Sequence, residues 1–400
     1  VRHLALIAAG ALLPLAFAPF DIWPAAFVAT GLGFWLIRDV TSWRQGLLFG
    51  WLIGVGKYAV GASWIYVSIH EQGGASESLA GVLVGVFVAG MALFSGLFGV
   101  LFALTNRSES LWLKALGFTA AWTLADWSLT WLLTGFPWLF AGYGVMNTPL
   151  IGYAPILGVL GLGALTCWLA ALAAAALPIG GSARQGVRPG GGWVVAVWLL
   201  TFAAGFGFKL IDWVTLAPPA EVALVQGNID QSTKWDRASQ LPIISRYEEL
   251  SRGHWDADLI VWPEAAITVF AAEAGSLLSR WKQAGQTSGS TLVLGLPDVA
   301  LAADGVPSFQ NTAQALGSGS GRYIKRRLVP FGEYVPLESL LRGLIGFFDL
   351  PMSRSTSGPK DQPPLLAGEQ RLGIAICYEI AYPELVRAPQ RVYQRCAGDH

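Results

Sequence analysis

The sequence predicts two joined folds, a multi-span α-helical membrane domain followed by an α/β domain. Three observations carry that prediction. Of 400 residues, 54% are hydrophobic and only 13% charged, whereas soluble domains carry about 25% charged residues. The shortfall is uneven, because apolar blocks dominate to about residue 215 and the charges gather after it. Past that point short β-branched runs alternate with stretches of helical spacing. We therefore assign residues 1–216 to a transmembrane domain of about seven spans and everything from 217 to a water-soluble part.

Net charge is zero, which argues against a nucleic-acid partner. The cysteines, Cys167, Cys377 and Cys396, are too few and too scattered for a disulfide framework or a zinc site. The first apolar block, Leu4–Phe20, lacks a convincing small-residue cleavage site and runs at once into another apolar block. It reads as part of the membrane domain rather than as a cleaved leader.

A span takes about 20 apolar residues. The candidates are Leu4–Phe20, Ile22–Ile37, Gly46–Ile69, Leu79–Leu104, Leu111–Leu133, Pro155–Leu177 and Gly192–Leu210. The first two are short and meet at a tight turn, Pro19-Phe20-Asp21-Ile22, so a re-entrant pair is an alternative to two crossings. Arg2, Arg38, Arg44, Arg107, Lys114, Arg184 and Arg188 fall in one set of loops. The alternate loops, around Asp21, His70–Glu77 and Phe136–Thr148, hold no Lys or Arg. The positive-inside rule then puts the N-terminus in the cytoplasm and everything after about Leu216 on the outer side. A re-entrant pair leaves that parity unchanged. Lys57 and Asp126 lie inside spans, where a charge is costly and marks a functional-site hypothesis. The simpler reading, that they pair with each other or snorkel to an interface, is preferred. The uncharged aromatic loop Phe136–Phe140 suits an interfacial belt or a lipid-facing mouth, and Cys167 sits among Leu and Ala as a core residue.

In the soluble part, strands are expected at Glu221–Ile229, Asp258–Trp262, Thr291–Leu296 and Thr312–Leu316. Helices are expected at Ala238–Arg252, Glu273–Gln283 and Ser339–Phe348. The last strand, Leu372–Cys377, is a run of small and apolar residues that ends on a thiol. Glu264 likewise follows a strand end, on the edge where open sheets bind ligands. Between them lies Tyr323–Pro336, a loop dense in charge and aromatics that includes Lys325. A free thiol has a pKa of roughly 8.5 and is mostly protonated near neutral pH, so Cys377 needs a partner to act as a nucleophile. A carboxylate could take its proton, and an ammonium could stabilise the oxyanion of an attacked carbonyl. Residue types alone do not show that the three converge, and each is also common as an ordinary structural residue.

The ordered motifs resemble a family. Trp262-Pro263-Glu264, the segment Lys325–Pro336 and Cys377-Tyr378-Glu379 have the order and spacing of the Glu-Lys-Cys triad of the nitrilase superfamily. Joined to a multi-span N-terminal half, they resemble its membrane-embedded branch, the apolipoprotein N-acyltransferases of bacterial inner membranes. Val225–Ile229, Lys234-Trp235, Leu328–Pro336 and Phe347–Met352 add to the resemblance, which runs from the first span to about Arg387. It implies an αββα sandwich facing the periplasm, with Cys377 as nucleophile, Glu264 as general base and Lys325 as oxyanion stabiliser. It further implies a phospholipid acyl donor, a thioester on Cys377, and transfer to the α-amine of an apolipoprotein's diacylglyceryl-cysteine, with no metal or organic cofactor. Glu333 and Glu379 match supporting positions. Trp235 and Tyr378 match aromatics of substrate access, with plain packing as the alternative.

After Arg387 the resemblance stops. Residues 388–400 have no apolar period, read as a frame-shifted or truncated end, and make Cys396 incidental. On that reading the nitrilase-like domain, 217–387, is partial, and the chain is expected to be poorly stable and weakly active or inactive. Two further readings compete with acyl transfer to an amine. One is a membrane-tethered amidase or hydrolase with the same triad. The other is a membrane transporter or scaffold with an inactive nitrilase-like domain, supported only by Lys57 and Asp126.

Overall fold

The computed structural model describes residues 1–177, 191–216, 218–301, 307–330, 332–334 and 355–387. The expected helix Ser339–Phe348, the Phe347–Met352 motif, Arg184, Arg188 and the tail with Cys396 lie outside the described residues. The chain divides into two compact units, Val1–Leu216 and Ala217–His400.

Every apolar block of the first unit forms helix. In chain order these are α1 (Arg2–Leu12, continued by a 3₁₀ turn, Leu13–Ala16), α2 (Pro24–Ile37), α3 (Trp43–Gly61) and the short α4 (Ile65–Val67). There follow α5 (Glu77–Thr105), α6 (Leu111–Ser128), α7 (Ala154–Ala176) and α8 (Gly192–Lys209). Proline at its first turn starts α2, where the missing N–H costs nothing. Ser76 starts α5 by accepting from the Leu79 amide. Among the described residues three helical stretches, Glu77–Thr105, Pro149–Ala176 and Gly192–Lys209, are long and apolar enough to cross a membrane. Trp43–Gly61 and Ile65–Glu71, bent by 61°, make a fourth if taken together. The two N-terminal helices are shorter, and α6 is interrupted by Lys114 and Asp126, so the seven blocks are helices of unequal reach.

Small residues set the closest approach. A Cβ added to Gly46 on α3 would lie 2.3 Å from the Gly99 carbonyl oxygen of α5, and one on Gly99 would lie 2.0 Å from that of Gly46. Backbone contact of this kind gives helices in an apolar medium dispersion energy that the hydrophobic effect does not supply there. Around it Phe98 meets Phe118 and Trp122 with ring centroids at 5.1 and 5.0 Å, and Cys167 is fully buried in the same core. The two internal charges face each other. Lys57 Nζ stands 3.5 Å from Asp126 Oδ1, with Lys57 only 2% and Asp126 6% exposed, and Asp126 Oδ2 accepts from the Trp122 indole. The pair ties α3 to α6. Many large apolar side chains are left outside, such as Val82, Val86, Leu199 and Leu200, as lipid-facing positions require.

Among the described residues the second unit is built on a mixed five-stranded sheet of order β1-β2-β3-β4-β5. Its strands are β1 (Val222–Leu224), β2 (Leu259–Val261), β3 (Thr291–Leu301), β4 (Pro307–Gly317) and β5 (Arg322–Ile324). β1, β2 and β3 are parallel, while β3–β4–β5 are antiparallel. Helices α9 (Gln240–Ser251) and α10 (Gly275–Ser288) bury Ile243, Tyr247 and Trp281 with Ile260, Leu292, Leu294 and Leu296 on one face. On the other face Val293, Ala313, Ala315 and Tyr323 meet Leu365 and Ile376, beneath a two-stranded sheet of β6 (Leu365–Ala367) and β7 (Gln370–Leu372).

Several sequence expectations need correction. The first strand is three residues, not nine, because the chain turns out at Gly227-Asn228, with Asn228 at φ 50°. β3 and β4 each run eleven residues as one hairpin ladder, through the Pro297-Asp298 pair that sequence alone reads as a strand end. β5 was not expected. The run Leu372–Cys377 is not one strand: its ladder stops at Leu372, and a 3₁₀ turn, Cys377–Ala381, begins at the thiol. The alternation that suggested a strand is nevertheless used, since Leu372, Ile374 and Ile376 all pack on the second sheet face.

Candidate active site

Glu264 leaves β2 through an anchored turn. The Trp262 amide donates to Val293 O, its indole donates to Ser251 Oγ at 2.8 Å, and its ring packs between Tyr247 and Trp281. Ala265 then sits at φ 45°, a left-handed conformation that a Cβ residue adopts only when its surroundings impose it. Part of that imposition is Gly295 on β3. A Cβ there would fall 2.6 Å from Pro263 O and Ala265 N, and 2.8 Å from Glu264 Cα. Lys234 Nζ holds the Glu264 carbonyl at 3.2 Å, and Asn311 Nδ2 of β4 donates to Glu264 Oε1 at 2.5 Å.

Lys325 follows β5. Its amide donates to Asn311 O and its carbonyl accepts from Gly358 N, so both sides of the residue are fixed. The side chain is 1% exposed, with Nζ 2.8 Å from Glu333 Oε1 and 3.6 Å from Glu264 Oε1. The second oxygen of Glu333 accepts from Val329 N at 2.8 Å. Burial works to lower the lysine's pKa, but the charges of Glu333 and Glu264 outweigh it and hold the ammonium above its ordinary value. Lys325 is a fixed cation between two carboxylates.

Cys377 opens the 3₁₀ turn at φ 53°, and its thiol reaches solvent. The protein around it still removes enough water to push its pKa up. Glu264 adds to that rise, and Lys325, with a bond to the Tyr378 backbone, works against it. The resting group is therefore a thiol, one that senses the charges of both Glu264 and Lys325. Glu379 fixes the turn from beneath. Fully buried, it accepts from Tyr323 Oη, from the backbone amides of Arg326 and Arg327, and from that of Ile376. One carboxylate thus ties the residue before Cys377 to the two residues after Lys325. Burial pushes the Tyr323 phenol up, as does the adjacent Glu379.

The two aromatics stand near these groups. Trp235, next to Lys234, meets Phe309 edge-on at 6.3 Å, and Phe309 meets Phe270 at 6.2 Å. Tyr378 meets Tyr382 edge-on at 5.2 Å, and Arg327 lies 4.9 Å over the Tyr382 ring. Among the described residues no three His, Cys, Asp or Glu side chains form a metal-holding group. The sequence reading gave no role to Asn311, Lys234, Tyr323 or Gly295. Lys234 and Tyr323 fall within segments already singled out in the sequence, Lys234-Trp235 and Tyr323–Pro336, whereas Asn311 lies in a polar run, Gln310-Asn311-Thr312, of β4.

Comparison with known proteins places both parts of the chain in described families. Residues 9–172 match the model of the apolipoprotein N-acyltransferase N-terminal domain, and residues 221–391 match that of carbon-nitrogen hydrolases. The apolipoprotein N-acyltransferase of Pseudomonas aeruginosa is 41% identical over 395 residues, which is 96% of this chain and 75% of that protein. The chain belongs to the apolipoprotein N-acyltransferase family. Other members are the apolipoprotein N-acyltransferases of Azotobacter vinelandii, 41% identical over 96% of this chain and 73% of theirs, and of Vibrio parahaemolyticus, 38% identical over 96% and 76%. The N-terminal-domain match runs from Ala9, late in α1, to Leu172 in α7, and the hydrolase match contains Glu264, Lys325 and Cys377 and extends past Arg387.

Proposed function

We propose that the chain N-acylates the diacylglyceryl-cysteine at the N-terminus of apolipoproteins, using a phospholipid as acyl donor. The observation that carries this reading is geometric: Glu264 Oε1 stands 3.6 Å from the buried Lys325 Nζ, and Glu379 ties the turn that opens at Cys377 to the two residues after Lys325. In the first half-reaction Cys377 Sγ attacks the ester carbonyl while Glu264 takes the thiol proton. Lys325 stabilises the tetrahedral oxyanion, a kind of interaction worth about 3–4 kcal/mol in other acyl-transfer enzymes. The C–O bond then breaks, the proton passes to the departing lysophospholipid oxygen, and a thioester remains. In the second half-reaction the lipoprotein's α-amine attacks the thioester, forming a C–N bond and breaking C–S, and its proton returns the thiol. Glu333 and Glu379 hold Lys325 and the Cys377 turn, while Trp235 and Tyr378 face the acyl groups.

The apolar helices of residues 1–216 supply the membrane setting, and the nitrilase-like part that begins at 217 is the catalytic domain. The loop distribution of Lys and Arg supports a cytoplasmic N-terminus and a periplasmic catalytic domain on the bacterial inner membrane. The test is single-turnover labelling. Purified chain is incubated with phospholipid labelled in its acyl chain, followed by a synthetic diacylglyceryl-cysteine peptide. The expected result is a labelled thioester on Cys377 that chases to a peptide amide, and neither species with Cys377→Ala. Label released as free fatty acid, with none on peptide, would instead establish a hydrolase.

A further inference from the structure

The two oxygens of Glu264 are not equivalent. Oε1 accepts from Asn311 Nδ2 at 2.5 Å and faces Lys325 Nζ at 3.6 Å. No hydrogen bond or ion pair to Oε2 occurs among the described residues. A carboxylate that accepts a proton from a thiol needs one oxygen free for it. We propose that Asn311 is a positioning residue for the general base: its amide occupies Oε1, fixes the carboxylate plane, and leaves Oε2 to take the proton of Cys377. The inference rests on the base role of Glu264 in the function proposed above.

The placement of Asn311 suits the task. It lies mid-strand in β4, in register with Pro297 of β3, and is 7% exposed. Its own carbonyl accepts from the Lys325 amide, so one residue sets the main chain of the ammonium and the side chain of the carboxylate. A neutral amide suits this position because it donates without bringing a charge. The titratable groups acting on Glu264 are Lys325, Lys234 at its carbonyl, and Cys377, whose resting thiol is neutral. An aspartate at 311 would offer only acceptors to Oε1 and add a like charge.

The test is the pH dependence of single-turnover acylation of Cys377 by labelled phospholipid, in wild type, Asn311→Ala, Asn311→Asp and Glu264→Gln. Losing a donor to the charged form makes a carboxylate easier to protonate. The acid limb of Asn311→Ala should therefore move up by about one pH unit, with the plateau rate down roughly tenfold or more. Asn311→Asp, nearly the same shape, should move the limb further up. Melting temperature is measured on each variant, so that a variant that fails to fold is recognised and the other decides. An acid limb that coincides with wild type in a folded variant would overturn the proposal, leaving Asn311 a purely structural residue. Failure of the underlying reading looks different: Glu264→Gln would then acylate at the wild-type rate, or wild type would form no thioester.

Discussion

Glu379 is the residue whose loss should cost most for the fewest atoms changed. Its carboxylate is fully buried and serves four donors, the Tyr323 hydroxyl and the amides of Arg326, Arg327 and Ile376. Three are backbone groups that no rotamer change can redirect. In Glu379→Ala each donor is left without a partner at about 1–3 kcal/mol. Summed over four that is roughly 4–12 kcal/mol, with the lower end more realistic because the cavity admits water. A typical domain has about 5–15 kcal/mol in total, so Glu379→Ala should unfold the Cys377 turn or the whole unit. Glu379→Gln keeps the shape but turns an N–H₂ toward donors, and should cost about 2–4 kcal/mol. The assay pairs thermal unfolding in detergent with mass-spectrometric alkylation of Cys377 by iodoacetamide. The Gln variant should melt several degrees lower, with an altered alkylation rate. Melting and alkylation both equal to wild type would show that this carboxylate does not hold the nucleophile's turn.

Four further outcomes follow from the same coordinates. Gly295→Ala should lower the acylation rate at least tenfold with a modest loss of stability, because its Cβ would meet the Pro263–Ala265 backbone below 3 Å; single-turnover labelling reads it. Because crowding and Glu264 push the Cys377 thiol up, thiolate should be scarce at neutral pH, and alkylation should accelerate only as pH rises past the ordinary thiol range. Lys325→Met removes the charge that works against that rise, and should slow alkylation further at a given pH. In the helical unit Lys57→Met alone leaves Asp126 a buried, uncompensated charge and should cost about 3–5 kcal/mol, whereas Lys57→Met with Asp126→Leu should restore most of it; a thermal double-mutant cycle measures both.

Much of this protein was legible in the chain because the signals are local. Runs of apolar residues specify helices wherever they occur, and the blocks from Leu4 to Leu210 are helical, though three or four, not seven, have full crossing length among the described residues. Trp262-Pro263-Glu264, Lys325 and Cys377-Tyr378-Glu379 could be named as candidates because each motif is a few consecutive residues. Strand lengths were not legible. Pairing energy depends on a partner distant in sequence, so β3 runs through Pro297 alongside β4, while the apolar run before Cys377 finds no ladder after Leu372.

The sequence by itself determined the two-part organisation, the helical character of the first part and the α/β character of the second, and it offered Glu264, Lys325 and Cys377 as candidates. Only the tertiary structure decided that Glu264 stands 3.6 Å from Lys325, that Glu379 ties the Cys377 turn to the residues after Lys325, that Lys57 meets Asp126, and that Asn311 and Lys234 hold Glu264. The physical reason is range. Apolar patterning and motif chemistry act over a few residues, whereas a hydrogen bond between Asn311 and Glu264, or between Glu379 and Arg326, joins groups about fifty residues apart. Such bonds form only after the sheet has brought its strand ends together, and that register is a property of the whole fold.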